Sequence, residues 1–320
     1  MSFASNVRAE IARELCREEC CARAELAAAL LAPGAISYRF GNRNPYLLSI
    51  TSAEAASVRH YFQLLKRFFG VVAQIRTLQS STLGGLTRYQ LLIPEEDSLK
   101  LLQSVGIYDE NEPFGKRSAP TAEIVKFDCC KKAFVKSAFM LCGAMANPEI
   151  EYHIEIDAQD EELADCILEC VENFEIHGKK TCRNSKYVVY LKRSDDVADL
   201  LTLIGASQAV LDVYNVRIKK GVSNRVNRQM NCDSSNINRA TETAVRQVED
   251  IRYIDAEIGL DKLPKPLREI ANVRLQNEAA PLAALGELLE KPLGKSGVNA
   301  RLRKLSEIAN KLRSGEEIEL

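Results

Sequence analysis

Near the C-terminus Val298, Leu302, Leu305, Ala309 and Leu312 recur at intervals of 4, 3, 4 and 3 residues, which predicts a helix with one apolar stripe. Between Glu149 and Asp157 the period drops to two. Ile150, Tyr152, Ile154 and Ile156 alternate with Glu149, Glu151, His153, Glu155 and Asp157, which predicts a strand with one buried face. The rest of the front half reads as one series of elements twice over. Helices are predicted at about 23–32 and 132–141, with Gly34 and Gly143 suited to their C-termini. Each is followed by a hairpin, a helix (53–69 or 159–174), two strands ending in RYQLLI or KYVVYL, and a closing helix (97–106 or 196–205). The order α-β-β-α-β-β-α, twice, is an α+β arrangement.

The repetition extends to residue identity. Cys20-Cys21 and Gly34 recur as Cys129-Cys130 and Gly143 at a constant offset of 109, and Ala24 and Ala29 match Ala133 and Ala138. A repeat of this length predicts a two-lobed, pseudo-symmetric body over 1–215, with repeats at about 10–108 and 128–210. Glu110–Thr121, with its Asn, Pro, Gly and Ser, links the copies. Residues 216–232 read as a basic linker carrying Arg217, Lys219, Lys220, Arg225 and Arg228. From 233 to 320 only helical patterns occur. Ser234 or Ser235 is the expected cap of a helix to about Ile258, broken by Gly259, Pro264 and Pro266, and helices follow at 265–275, 282–289 and 297–312.

Composition narrows the function classes. The 320 residues are 46% hydrophobic and 27% charged, enough for a real core, and the formal net charge is −1, so any basic footprint must be local. The N-terminus lacks a signal-peptide apolar region and no apolar run reaches the roughly 18 residues of a membrane span, so a cytoplasmic protein without membrane contact is expected. Ten Cys and three His suit reduced thiols. Vicinal pairs are unlike a C-x₂-C knuckle, and Cys166 and Cys170 fall at i, i+4 on a helix. Buried thiols are expected, with no metal, no cofactor and no small-molecule substrate.

The strongest local charge lies in Lys291–Arg313, where Lys291, Lys295, Arg301, Arg303, Lys304, Lys311 and Arg313 face one acid, Glu307. Ser296 is the expected N-cap. A short helix, a Pro- and Gly-rich turn and a basic helix follow in the order of a helix-turn-helix, whose second helix enters the major groove. At about 100° per residue, Ala300, Arg303 and Lys304 lie opposite the stripe and Asn299 on its flank. Arg303 and Asn299 are the candidate base readers. Lys295, Arg301, Lys304 and Lys311 are candidate phosphate contacts, and the helix N-terminus, where Ser296 sits, suits a phosphate as well.

The duplicated pattern over about 10–215 resembles the LAGLIDADG homing-endonuclease fold. That resemblance implies two helices packed across a pseudo-two-fold on small residues, here Ala27-Ala28 and Lys136-Ser137, with a metal-binding Asp at the end of each. The matching positions are Pro33 and Cys142, and the motif's other Asp falls on Leu31 and Met140. Neither Pro nor a thiol offers Mg²⁺ the hard oxygen that a two-metal clamp needs, so the domain is a degenerate nuclease and no catalytic residue is expected. The strand at 149–157 would also place four acids within about 27 Å on the face where such nucleases hold DNA, at about 3.4 Å per residue. The first copy offers Ser37, Arg39 and Arg43, mildly basic. The acidic saddle is expected to repel DNA and to meet a protein partner or basic parts of its own chain.

CDSSNINRATETAVRQVEDI (232–251) and GKSGVNARLRKLSEIA (294–309), with the two vicinal Cys pairs, resemble the bacterial WhiA family of sporulation and cell-division regulators over essentially the whole chain. The chain departs from that pattern at Ala300, where the family favours His, and at Gly294, where it favours Ser. The resemblance implies a non-enzymatic, nucleoid-associated protein that binds double-stranded DNA and regulates transcription in cell division, chromosome segregation, the cell cycle or sporulation. Two other readings stay open: an interaction scaffold built on the acidic saddle, and a metal-dependent endonuclease.

Overall fold

The computed structural model describes residues 2–39, 44–79, 87–184 and 186–316, which form two compact units, Met1–Lys219 and Lys220–Leu320. Unit 1 opens with α1 (Phe3–Ile11), capped by the Ser2 hydroxyl, which accepts from the Ser5 amide at 3.2 Å. The first repeat is α2 (Glu19–Leu30), β1 (Ile36–Tyr38), β2 (Tyr46–Ser52), α3 (Ala55–Leu64, continued as a π turn over Leu65–Phe69), β3 (Gln74–Gln79), β4 (Thr87–Leu92) and α4 (Glu95–Ser104). The second is α5 (Asp128–Cys142), β5 (Gly143–Met145), β6 (Ile154–Ala158), α6 (Glu161–Glu172), β7 (Lys179–Arg183), β8 (Lys186–Leu191) and α7 (Ser194–Leu203). The two repeats are thus the α+β order that the hydrophobic pattern predicts.

Each repeat folds one antiparallel four-stranded sheet, ordered β1-β2-β4-β3 and β5-β6-β8-β7. Inward residues alternate along the strands: Leu48, Ile50 and Leu91 in one sheet, Ile154, Ile156, Val189 and Leu191 in the other, all at most 2% exposed. Between the repeats α2 packs along α5, with Ala24, Ala27, Ala133 and Ala138 buried where the helices meet. Both helices begin earlier than their stripes suggest, so each vicinal Cys pair lies within a first helical turn.

Two expectations fail for local reasons. The strand predicted over 149–157 begins only at Ile154. After Asn147-Pro148 the chain turns: the Asn147 carbonyl accepts from Ile150 and Glu151, and its side-chain oxygen accepts from Glu149. Ile150, expected inside, is 80% exposed. The second failure is the basic segment 216–232, which is helical. It lies within α8 (Ser207–Ile258), a single 52-residue helix whose first amides, of Gln208 and Ala209, donate to the Glu10 carboxylate, so neither Ser234 nor Ser235 is a cap. No proline interrupts that stretch, and Arg, Lys and Gln are good helix formers.

Unit 2 contains the last part of α8 together with α9 (Lys265–Gln276), α10 (Leu282–Glu287) and α11 (Lys295–Ser314). Its core is formed by Ile251, Ile254, Leu267, Ile270, Leu285 and Leu289 with the predicted stripe of α11, Val298, Leu302, Leu305 and Ala309, joined by Ile308; Leu312 is half-buried against it. Among the described residues no helix is long and apolar enough to cross a membrane.

Candidate nucleic-acid interface

The outer face of α11 is set by what its inner face must pack. Val298, Leu302, Leu305 and Ala309 are at most 1% exposed, which turns Lys295, Ser296, Asn299, Arg303, Lys304 and Lys311 to solvent. Among the described residues Lys295, Arg303, Lys304 and Lys311 have no ion pair, whereas Arg252, Lys265, Arg268, Arg301 and Arg313 are each matched by an acid. Arg301 is the correction here. It lies about 200° round the helix from Asn299, beside the core, half-buried, 3.7 Å from Glu269 and donating to the Pro266 carbonyl at 3.5 Å. Ser296 is a second: the helix starts two residues earlier than expected, with Gly294 as N-cap, so Ser296 stands in the exposed first turn.

The turn before α11 depends on Gly286. A Cβ there would lie 2.0 Å from the Leu293 carbonyl oxygen, the atom group against which α10 closes, and Leu293 donates back to the Gly286 carbonyl at 3.1 Å. Arg274, 2% exposed, ties α9 to α8 through two bonds to Gln247 (3.1 and 2.8 Å), and holds the next loop through the Ala280 carbonyl at 2.7 Å. Neither residue was singled out from the sequence, although a small residue just before a helix-helix turn was a readable signal. On one flank of α11 a groove of about 610 Å³ runs between it and α8, lined by Arg246, Glu249, Asp250, Asn299, Arg303 and Asn310 among others.

The outward faces of the two sheets also differ from expectation. Glu149 and Glu151 are off the strand, which leaves Glu155 and Asp157 on β6. Lys179 lies in the row of Glu155, across Tyr190, and Arg183 on β7 and Lys186 on β8 pair further along the same face; Lys192 stacks 5.3 Å over the outward Tyr190. Arg183 pairs with Glu155 at 3.1 Å. His153 and Arg183 together hold the Glu155 carboxyl below its usual range, against the opposing effect of burial. This face therefore carries more bases than acids. The first sheet presents Arg39, Arg76 and Arg88, with Arg39 paired to Glu95 at 3.2 Å. Arg43 lies outside the described residues. The acidic saddle is not formed, because the turn at Asn147 takes half of its acids out of the strand.

Where a nuclease of this fold would keep its carboxylates, the chain has other chemistry. Pro33 follows the end of α2, and Cys142 ends α5. Burial, with Asp157 nearby, pushes the Cys142 thiol up to about 12, so at neutral pH it offers no thiolate. One residue on, the Gly143 carbonyl accepts from the Arg8 guanidinium at 2.9 Å, and Arg8 also pairs with Glu54 at 3.1 Å. A guanidinium at that helix end opposes any divalent cation. The small pair is replaced in α5 by polar residues with partners. Ser137 donates to the Glu25 carbonyl at 2.6 Å and receives the Tyr61 hydroxyl proton at 2.7 Å, and Lys136 reaches the Glu14 carbonyl at 2.7 Å. Glu25, 1% exposed, also meets His60 at 2.6 Å and Lys136 at 3.4 Å.

Comparison with known proteins covers all of these parts. The model of the WhiA N-terminal LAGLIDADG-like domain matches residues 19–108, that of the WhiA LAGLIDADG-like domain 131–223, and that of the WhiA C-terminal HTH domain 226–309. A relative from Desulforamulus reducens, named "Probable cell division protein WhiA", is 39% identical over 318 residues, 99% of this chain and 98% of its own. One of the same name from Caldicellulosiruptor saccharolyticus is 38% identical over 317 residues, 98% of this chain and 97% of its own. The crystal structure of full-length DUF199/WhiA from Thermatoga maritima shares the fold at a TM-score of 0.57 and 20% identity, covering 97% of this chain and 99% of that one. With family models in register over both repeats and the helix-turn-helix, and relatives aligned end to end, the chain belongs to the WhiA family.

Proposed function

We propose that this protein is a DNA-binding regulator that contacts duplex DNA through α11 and cleaves nothing. The observation that carries this is on α11 itself: among the described residues the outward Lys295, Arg303, Lys304 and Lys311 have no acid partner, whereas Arg301 and Arg313 pair with Glu269 and Asp250. Arg303 and Asn299 sit where base edges would be read, and Lys295, Lys304 and Lys311 where phosphates would lie. Ser296 and the first-turn amides suit a phosphate at the helix N-terminus. Arg301, committed to Glu269, is a strut that holds α11 on α9. The name shared by the relatives points to cell division as the process, and transcriptional control, sporulation and chromosome segregation are the roles that follow from DNA binding in such a cell. A cytoplasmic, nucleoid-associated location accords with this reading.

The basic sheet faces favour a second element of the proposal: unit 1 adds phosphate contacts through Arg76, Arg88, Lys179 and Lys186. A titration of the full chain against random and selected duplexes at two salt concentrations tests both. Strong salt dependence that falls on Lys304→Ala, and separately on Lys179→Ala, is expected. Binding indifferent to salt and to all these substitutions would leave the scaffold reading in its place.

A further inference from the structure

The two vicinal cysteine pairs, 109 residues apart in sequence, meet in space. The Sγ atoms of Cys20, Cys21, Cys129 and Cys130 all lie within 4.8 Å of one another, and Cys129 and Cys130 are 3.9 Å apart. In a tetrahedral Zn²⁺ site with Zn–S of about 2.3 Å, neighbouring sulfurs stand about 3.8 Å apart. The cluster is already close to that spacing, and of the thiols expected to be buried Cys21 and Cys130 are, whereas Cys129 is exposed.

We propose that Cys20, Cys21, Cys129 and Cys130 form a closed four-thiolate site for Zn²⁺ that clamps the first turns of α2 and α5. Several independent observations support it. All four residues occupy the second and third positions of their helices. There the positive ends of the two helices face a site whose four-thiolate complex would be anionic. Cys21 and Cys130 are buried, Cys20 is half-buried and Cys129 is exposed, so the site is shielded yet reachable. An open recess lined by Glu19, Cys20, Arg23, Glu123, Ile124 and Phe127 gives an ion its approach.

On binding, four S–H bonds give four protons to solvent and four Zn–S bonds form, with no change of oxidation state and no open position for a substrate. The ion would lie at the opposite ends of α2 and α5 from Pro33 and Cys142, fastening the pseudo-two-fold in place of the cross-repeat metal clamp that the degenerate positions lack.

The test uses the full chain purified under reducing conditions without chelator. Native mass spectrometry and elemental analysis should find one Zn²⁺ per chain, and exchange for Co²⁺ should give the visible bands of a tetrahedral thiolate. Bound Zn²⁺ should protect these four cysteines from alkylation on the intact protein, independently of any variant. Cys129→Ser should lower the metal content from one towards zero, while Cys182→Ser, on β7, should keep it. Four freely alkylated thiols after incubation with Zn²⁺, or a mass short by two hydrogens that marks a disulfide within the cluster, would overturn the proposal.

Discussion

Arg301 and Arg303 are two positions apart, yet helical geometry sends them to opposite tasks. Arg301 reaches Glu269 beside the core, and Arg303 points to solvent with no ion pair among the described residues. Arg303→Ala is expected to cost about 1–3 kcal/mol at particular base pairs and to relax preference there, read by selection of bound sequences. Lys304→Ala should weaken binding on every sequence and reduce the salt slope by about 0.9, as loss of one phosphate contact does. Arg301→Ala removes a part-exposed pair worth about 0–1 kcal/mol, and should lower the melting temperature slightly while leaving the salt slope unchanged. The same slope for all three variants would place the interface elsewhere.

At the scale of elements, two close contacts hold the parts in register. Gly286 lets α10 approach the Leu293 carbonyl, and Gly286→Ala puts a methyl 2.0 Å from that oxygen. We expect a loss of about 1–3 kcal/mol in unit 2, measured by denaturation, with weakened DNA binding as α11 shifts. Between the repeats, Glu25 on α2 is enclosed by His60, Lys136 and Ser137. The His60 ring donates through Nδ1 to the Ala12 carbonyl at 3.2 Å and meets the Glu25 carboxyl through Nε2 at 2.6 Å. His60→Ala leaves a buried carboxylate short of a partner and should cost about 3 kcal/mol, read as a lower denaturation midpoint. An unchanged midpoint would mean that water fills the place of the ring.

For the whole molecule, Pro33 and Cys142 bear on cleavage and the buried thiols on the response to base. With Mg²⁺ or Mn²⁺ the protein should leave supercoiled plasmid intact, because Pro33 and the protonated Cys142 cannot supply the oxygens of a two-metal site. Cys16 and Cys142 are both raised to about 12 by burial, from an ordinary value of 9. Their protonated forms favour the folded state. That contribution is complete below about pH 9 and is lost as pH rises from there to about 12, since the unfolded chain ionises first. Denaturation midpoints should therefore fall over that window, and Cys142→Ala should flatten the part of the fall that this thiol causes.

The order of elements was legible because it depends on periods of two and about 3.6 that any burial partner must respect. The α-β-β-α-β-β-α repeat, the stripe of α11 and the loss of carboxylates at Pro33 and Cys142 all follow from local pattern and residue type. The strand at 149–157 misled because its alternation is real, but the Asn147-Pro148 turn uses the backbone bonds that a longer strand would need. The linker misled because a run of bases was read as a connection between domains where no proline breaks the helix. Long-range pairing had no local signal at all. The charge of the sheet faces is set by which strands lie side by side, so Lys179, Arg183 and Lys186 share a face with Glu155 and Asp157 only through strand pairing. The meeting of Cys20-Cys21 with Cys129-Cys130 and the fate of Arg301 likewise depend on partners tens of residues or more away. Periodicity along the chain carries the elements. Only their packing chooses which side chains share a surface.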